Sequence, residues 1–214
     1  MSEKQPIKRI YFVRHGETDA NLLEYVPSRE EPLNSTGLVQ ADKIAMRLVN
    51  IDVDRLISSE FVRAQETAKA ITNLKPMAVE IQTCFGEMIE PSSLYGKPSA
   101  SAEVMEFRKN RNENIENFDW RQEDGDSFID VYNRLMKGKT LLETAPENNI
   151  LVVTHGYFVR LFVATILLNT TEPNQKWHEV ANVLKSSNTG LTHFYIENGI
   201  WKLLTWSDIA HFAE

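Results

Sequence analysis

Twice in this sequence a run of apolar, β-prone residues ends in a histidine followed by glycine. Ile10-Tyr11-Phe12-Val13 leads into Arg14-His15-Gly16, and Ile150-Leu151-Val152-Val153-Thr154 leads into His155-Gly156. Each run reads as a buried strand that the glycine then breaks. In open α/β sheets, ligands bind beyond the carboxyl ends of such strands. A single histidine at a strand tip is ordinarily structural or superficial. Two histidines in the same context can lie side by side, with both imidazoles over one point.

The intervening pattern alternates helix and strand. After a charged loop from Asp19 to Asn34, residues 38–49 have helical apolar spacing at Leu38, Ala41, Ala45, Leu48 and Val49. Leu56 and Ile57 form a short strand ending at Ser58-Ser59, and Ser59 is placed to cap a helix from Glu60 to Leu74. Arg63 falls in the first turn of that helix, where backbone N–H groups and the helix dipole already favour an anion. Residues 78–83 read as a strand and 85–97 as a loop holding Glu87 and Glu90. Residues 99–122 carry many charges, with Phe107, Phe118 and Trp120 as apolar anchors, and 85–124 reads as a lid over the carboxyl edge of the sheet. Taken singly, Lys97, Arg108, Lys109, Arg111 and Arg121 read as solvated charges of this lid. Further helices are expected over Phe128–Leu142 and Tyr157–Leu168. Strands are expected over Leu191–Glu197 and Trp201–Trp206, joined by the hairpin signal Asn198-Gly199. This order predicts one α/β domain over residues 1–214: a three-layer α/β/α fold with a mixed, mostly parallel central sheet. His178, His193 and His211 lack the strand-tip context and read as ordinary histidines.

Composition narrows the partners. A net charge of −7 argues against nucleic acid or an anionic membrane as the main partner. The one cysteine, Cys84, cannot form an internal disulfide and reads as a small apolar filler in a reducing compartment. No apolar run approaches the roughly 20 residues of a membrane helix, and Met1 to Lys8 is too polar for a signal peptide. A cytoplasmic protein is expected, and oligomeric state is not readable.

The ordered set Arg14-His15-Gly16-Glu17-Thr18 with Asn21, Thr36-Gly37 with Gln40, Ser58-Ser59 with Arg63-Ala64 and Thr67-Ala68, Gly125-Asp126-Ser127, and Val153-Thr154-His155-Gly156 with Asn188 resembles the histidine phosphatase (phosphoglycerate mutase-like) superfamily. The likeness spans nearly the whole chain and leans to the broad-specificity phosphatase branch. It departs at Asp126, where the family usually has glutamate. The resemblance implies a phosphoglycerate mutase-like fold. It also implies that His15 is the nucleophile, that Arg14, Arg63, His155, Asn21 and Gly156 bind the phosphoryl group, and that Glu87 is the proton donor, with Glu90 as the alternative. It implies no metal and no cofactor.

The chemistry suits these residue types. Phosphoryl transfer depends on alignment and charge neutralisation, and guanidinium forks match phosphate oxygens. Nearby cations favour the neutral, nucleophilic form of His15. A phosphate dianion beside Glu87 favours the protonated carboxyl that a leaving alkoxide needs. The expected activity is hydrolysis of a small phosphomonoester through a phosphohistidine. A phosphoglycerate mutase, or a phosphate-binding protein with a dead site, are the alternatives.

Overall fold

The computed structural model describes residues 7–213; the first six residues of the segment read above as too polar for a signal peptide lie outside them. In chain order the elements are β1 (Lys8–Arg14), α1 (Asp19–Leu23), α2 (Ser35–Leu48), β2 (Arg55–Ser58), α3 (Val62–Leu74), β3 (Val79–Ile81), α4 (Ala102–Glu113), α5 (Phe128–Thr144), β4 (Asn149–Thr154), α6 (Gly156–Leu168), α7 (Gln175–Val183), β5 (Leu191–Glu197) and β6 (Ile200–Asp208). They form one six-stranded sheet of order β3-β2-β4-β1-β5-β6. The first four strands in that order run parallel, and β5 and β6 are antiparallel additions. The expected mixed, mostly parallel sheet is therefore present.

Alternation along the strands makes the layers. Ile10, Phe12, Ile57, Ile150 and Val152 point to one face, where they pack with Leu135 of α5 and with Phe158 and Phe162 of α6. Tyr11, Val13, Leu56, Leu151 and Val153 point to the other, against Ile44 and Leu48 of α2 and Ala64, Ala68 and Ile71 of α3. Burying both faces explains why the strand sequences are continuous apolar runs rather than alternating ones. Cys84 is buried in the first of these cores, as a filler would be.

Some boundaries differ from the sequence reading. The loop after the first strand contains α1, which begins at a capping box made by Thr18 and Asn21. Helix α2 starts three residues earlier than expected because the Asn34 side chain caps it through the Gly37 N–H, 2.8 Å. Of the apolar positions with helical spacing, Leu38 and Val49 are exposed, and Ile44 is in the core with Ala41, Ala45 and Leu48. Helix α7 was not foreseen; its polar sequence gives a single large core residue, Trp177, whose indole N–H donates to Thr165 Oγ1 at 2.9 Å. Residues 92–122 form a smaller apolar cluster of their own, with Leu94, Val104 and Phe107 packed on Val26.

Candidate active site

The register of the two central strands brings the histidines together. Arg14 pairs with Thr154 across β1 and β4, and the His15 N–H continues the ladder to the Thr154 carbonyl at 2.9 Å. The two residues that follow this pair are His15 and His155, and their ring centroids lie 5.2 Å apart. Both rings are buried, at 4 % and 0 % exposure. Neighbouring β2 delivers Ser59, whose N–H donates to the Val153 carbonyl at 3.0 Å. Its hydroxyl is 2.8 Å from His155 Nε2. Ser59 does not cap α3 as expected; Phe61 holds that position without a side-chain bond. Locally the serine precedes a helix, but the buried imidazole is its partner in the folded chain.

The turn after β1 is held from several sides. The Gly16 N–H donates to Thr67 Oγ1 at 3.1 Å, and the Glu17 N–H donates to Gln40 Oε1 at 2.8 Å. Gly16 and Gly37 meet back to back: a Cβ on Gly16 would lie 2.4 Å from the Gly37 carbonyl oxygen, and one on Gly37 would lie 2.0 Å from that of Glu17. No side chain fits there, so the first turn of α2 docks directly on the His15 turn.

His15 Nδ1 lies 2.7 Å from the Gly16 carbonyl. A carbonyl only accepts, so Nδ1 carries the ring proton and Nε2 of the neutral ring keeps its lone pair. Burial, and then the charges of Arg63 and Arg14, hold the His15 pKa well below the ordinary value. His155 is lowered in the same way, by burial first and by Arg63 next; its Nδ1 is buried with no partner among the described residues.

The arginines converge on the same place. Arg63 is 3 % exposed and donates to the Ser28 carbonyl at 2.9 Å; burial pulls its pKa down to about 10, so the guanidinium stays charged at neutral pH. Arg14 donates to the Ser186 carbonyl at 2.5 Å, and its Nε is buried with no partner among the described residues. Gly156 lets that guanidinium pass, since a Cβ there would be 3.1 Å from Arg14 Nε. Asn21 accepts from Asn188 Nδ2 at 3.1 Å, which ties α1 to the segment before β5. Arg14, His15, Asn21, Arg63, Glu87 and Gly156 all line one recess.

Glu87 and Glu90 separate clearly. One Glu87 oxygen accepts from the Tyr157 N–H, and the other from the Phe158 and Met88 N–H groups, each at 3.0 Å. The carboxylate thus sits on the first turn of α6, directly after His155. Arg134 of α5 fixes the backbone beneath it, donating to the Glu87 carbonyl at 2.9 Å and to Asp126 at 2.7 Å. Asp126, the position that departs from the family pattern, also accepts from the Ile89 N–H at 2.8 Å. Glu90 instead accepts from Arg108 at 3.0 and 3.1 Å, with Arg111 at 3.6 Å. It lines only the adjoining outer cavity, which Glu87 also reaches.

That cavity, about 400 Å³, is lined in part by Phe61, Arg108, Arg111, Tyr157, Arg160 and His178. Arg108 and Arg111, read from sequence as solvated, face it. Lys97, Lys109 and Arg121 behave as expected, in outlying ion pairs with Glu103, Glu113 and Asp130. His178 lies 2.7 Å from the Tyr157 hydroxyl on the cavity wall. Sequence reasoning missed Arg134, Arg160 and this role of His178, because each sits on a helix whose pattern does not say what it faces.

The buried neutral histidines set a pH dependence. The unfolded chain takes up protons below about pH 6.5 that the native His15 and His155 refuse. Native stability is therefore complete above that pH and falls as the solution is acidified. Each ring contributes a slope of up to about 1.4 kcal/mol per pH unit. Urea unfolding between pH 7 and 5.5 should show a shallower decline for His15→Gln than for the wild type. Equal slopes would mean that His15 is protonated in the fold.

Over 92 % of its length the chain is 26 % identical to an adenosylcobalamin/alpha-ribazole phosphatase of Escherichia coli, covering 89 % of that protein. A probable phosphoglycerate mutase of Proteus mirabilis is 23 % identical, with 96 % of this chain and 95 % of the relative covered. The solved mycobacterial glucosyl-3-phosphoglycerate phosphatase superposes with a TM-score of 0.75 at 22 % identity, over 94 % of this chain and 98 % of that one. No described helix is long and apolar enough to cross a membrane. The model of the histidine phosphatase superfamily, branch 1, matches residues 10–209, which take in both strand-tip histidines and every element between them, and the chain belongs to that superfamily.

Proposed function

We propose that the chain hydrolyses a small phosphomonoester through a phosphohistidine on His15, without a metal. The observation that carries this reading is the tautomer of His15. The Gly16 carbonyl occupies Nδ1–H, which leaves Nε2 free among Arg14, Arg63 and His155 to attack phosphorus.

In the first half-reaction the Nε2–P bond forms and the bond from phosphorus to the leaving oxygen breaks. Glu87 gives its proton to that oxygen. The phosphorylated ring is cationic, and its Nδ1–H stays on the Gly16 carbonyl. Arg14, Arg63 and Asn21 hold the equatorial oxygens, and their fixed positions stabilise the extra charge with little reorganisation. His155 stands beside them, its Nε2 paired with Ser59 Oγ and its Nδ1 left without a partner among the described residues. Water then attacks phosphorus, Glu87 takes its proton, and inorganic phosphate leaves with His15 neutral again. Glu87 is preferred over Glu90 as donor because it reaches the recess that holds His15, whereas Glu90 is held by two arginines. Residues 85–124 serve as the lid, supplying Glu87 and the outer cavity wall, within a single domain of a cytoplasmic enzyme.

The purified protein should release nitrophenol from 4-nitrophenyl phosphate in the presence of EDTA. Absence of release would contradict the proposal. Interconversion of phosphoglycerates on adding 2,3-bisphosphoglycerate, faster than release of phosphate, would favour the mutase instead.

A further inference from the structure

His155 uses one ring nitrogen within the fold, and the hydrogen on that bond can be assigned from its neighbours. Its Nε2 lies 2.8 Å from Ser59 Oγ. The same Oγ accepts from the Phe61 N–H at 3.3 Å and donates to Glu60 Oε2 at 3.2 Å. A carboxylate oxygen only accepts, so the single hydroxyl hydrogen of Ser59 goes to Glu60. Oγ then has no hydrogen left for the imidazole, and His155 must supply Nε2–H. The reverse direction would set the Glu60 charge against the bare lone pairs of Oγ. The neutral ring therefore keeps its lone pair on Nδ1, the opposite tautomer to that of His15.

The surroundings are shaped to this chain of bonds. Ser59 and His155 are both fully buried. Gly86, one residue before Glu87, leaves the space in which the Glu60 carboxylate lies: a Cβ there would be 2.9 Å from Oε1. Phe61 closes another side of the ring, with centroids 4.8 Å apart. Nδ1 is buried with no partner among the described residues, and a buried polar atom left so is costly. A bare Nδ1 also repels a phosphoryl oxygen, which brings lone pairs of its own.

We propose that Glu60 is a positioning residue of the phosphoryl site: through Ser59 it fixes His155 as the Nε2–H tautomer, so that Nδ1 holds a phosphoryl oxygen only with one added proton. The inference rests on the phosphatase reading and adds the protonation state in which the group is bound. The added proton forms an Nδ1–H bond. It arrives with the monoanionic ester or, above the second pKa of such esters at about 6, from water, and it is released when phosphate leaves. Burial opposes a charge on the ring first, followed by Arg63, His15, Arg14 and Arg134. Against these stand the bound phosphoryl group and, across Ser59, Glu60. Glu87, on the helix that follows the ring, is already engaged by three backbone N–H groups.

Nitrogen-15 spectra of histidine-labelled protein read the tautomer directly, with His155→Gln to assign the ring. The ligand-free wild type at neutral pH should show the hydrogen of His155 on Nε2; a hydrogen on Nδ1 would overturn the proposal. Calorimetric titration with inorganic phosphate at about pH 8, in two buffers of different ionisation enthalpy, then counts the protons taken up. Glu60 is only half-buried, so Glu60→Ala should fold normally, and it frees the Ser59 hydrogen for Nε2. The wild type should take up about one proton more than Glu60→Ala, and its affinity for phosphate should fall about tenfold more steeply per pH unit. Glu60→Asp should retain most of the difference. His15 and Glu87 contribute equally to both proteins and cancel. Equal uptake with parallel pH profiles would overturn the proposal. Hydrolysis of 4-nitrophenyl phosphate by a wild type with Nδ1–H would remove the proposal alone, whereas failure to bind phosphate at all would remove the phosphatase reading with it.

Discussion

Replacing His15 with alanine is expected to lower phosphomonoester turnover by about 10⁴-fold or more, equivalent to about 5 kcal/mol of barrier. The ring is the only group in the proposed reaction that makes a covalent bond to phosphorus, and no neighbour can take its place. Ser59 is occupied by His155 and by Glu60. His155 has no backbone carbonyl at its Nδ1 comparable to Gly16, so its tautomer is not fixed for attack in the same way. The substitution removes a buried ring whose charged form the fold already disfavours, so the variant should keep its secondary structure. Steady-state release of phosphate, with circular dichroism as the control for folding, checks the prediction. Activity within tenfold of the wild type would exclude His15 as nucleophile.

The second large effect is selective. Glu87→Gln should slow hydrolysis of alkyl phosphates by about 10²–10³-fold, because the alkoxide then leaves without a proton. Nitrophenyl phosphate, whose leaving group is stable as an anion, should slow by less than about tenfold. The amide keeps one oxygen for the N–H groups of Tyr157, Phe158 and Met88, though its NH₂ meets a donor where the carboxylate accepted. Some loss common to every substrate follows from that, so the ratio between the two classes is the informative quantity. If both classes slow equally, the donor is elsewhere, and Glu90→Gln becomes the next variant. That second change carries its own signature, since it releases Arg108 and Arg111 into the cavity.

The sheet was legible because its central strands are buried on both faces and therefore apolar throughout, and because each ends abruptly at His-Gly. The pairing of β1 with β4 across the whole length of Arg9–Arg14 turns two matching local signals into one site. Legibility failed where a residue's partner is distant and its local context suggests something else. Ser59 sits before a helix as a cap would, but the buried His155 ring outcompetes that role. Leu38 fits the helical period of α2 yet is 52 % exposed, since the helix rotates to let Gly37 meet Gly16. Arg108 and Arg111 lie on α4, a helix so polar that no periodicity marks its inward face; only the fold places Glu90 opposite them. His178 belongs to α7, where Trp177, Val180, Ala181 and Leu184 do have helical spacing, but nothing in that spacing shows that His178 meets the Tyr157 hydroxyl.

Rapid chemical quench gives the most direct test of the account. Wild-type protein is mixed with a radiolabelled phosphomonoester, quenched in alkali within the first turnover and mapped by peptide. The expected result is an alkali-stable, acid-labile phosphate on Nε2 of His15 that appears before free phosphate and decays at the rate of turnover. Hydrolysis at the full rate with no labelled histidine, or with the label on His155, would contradict it.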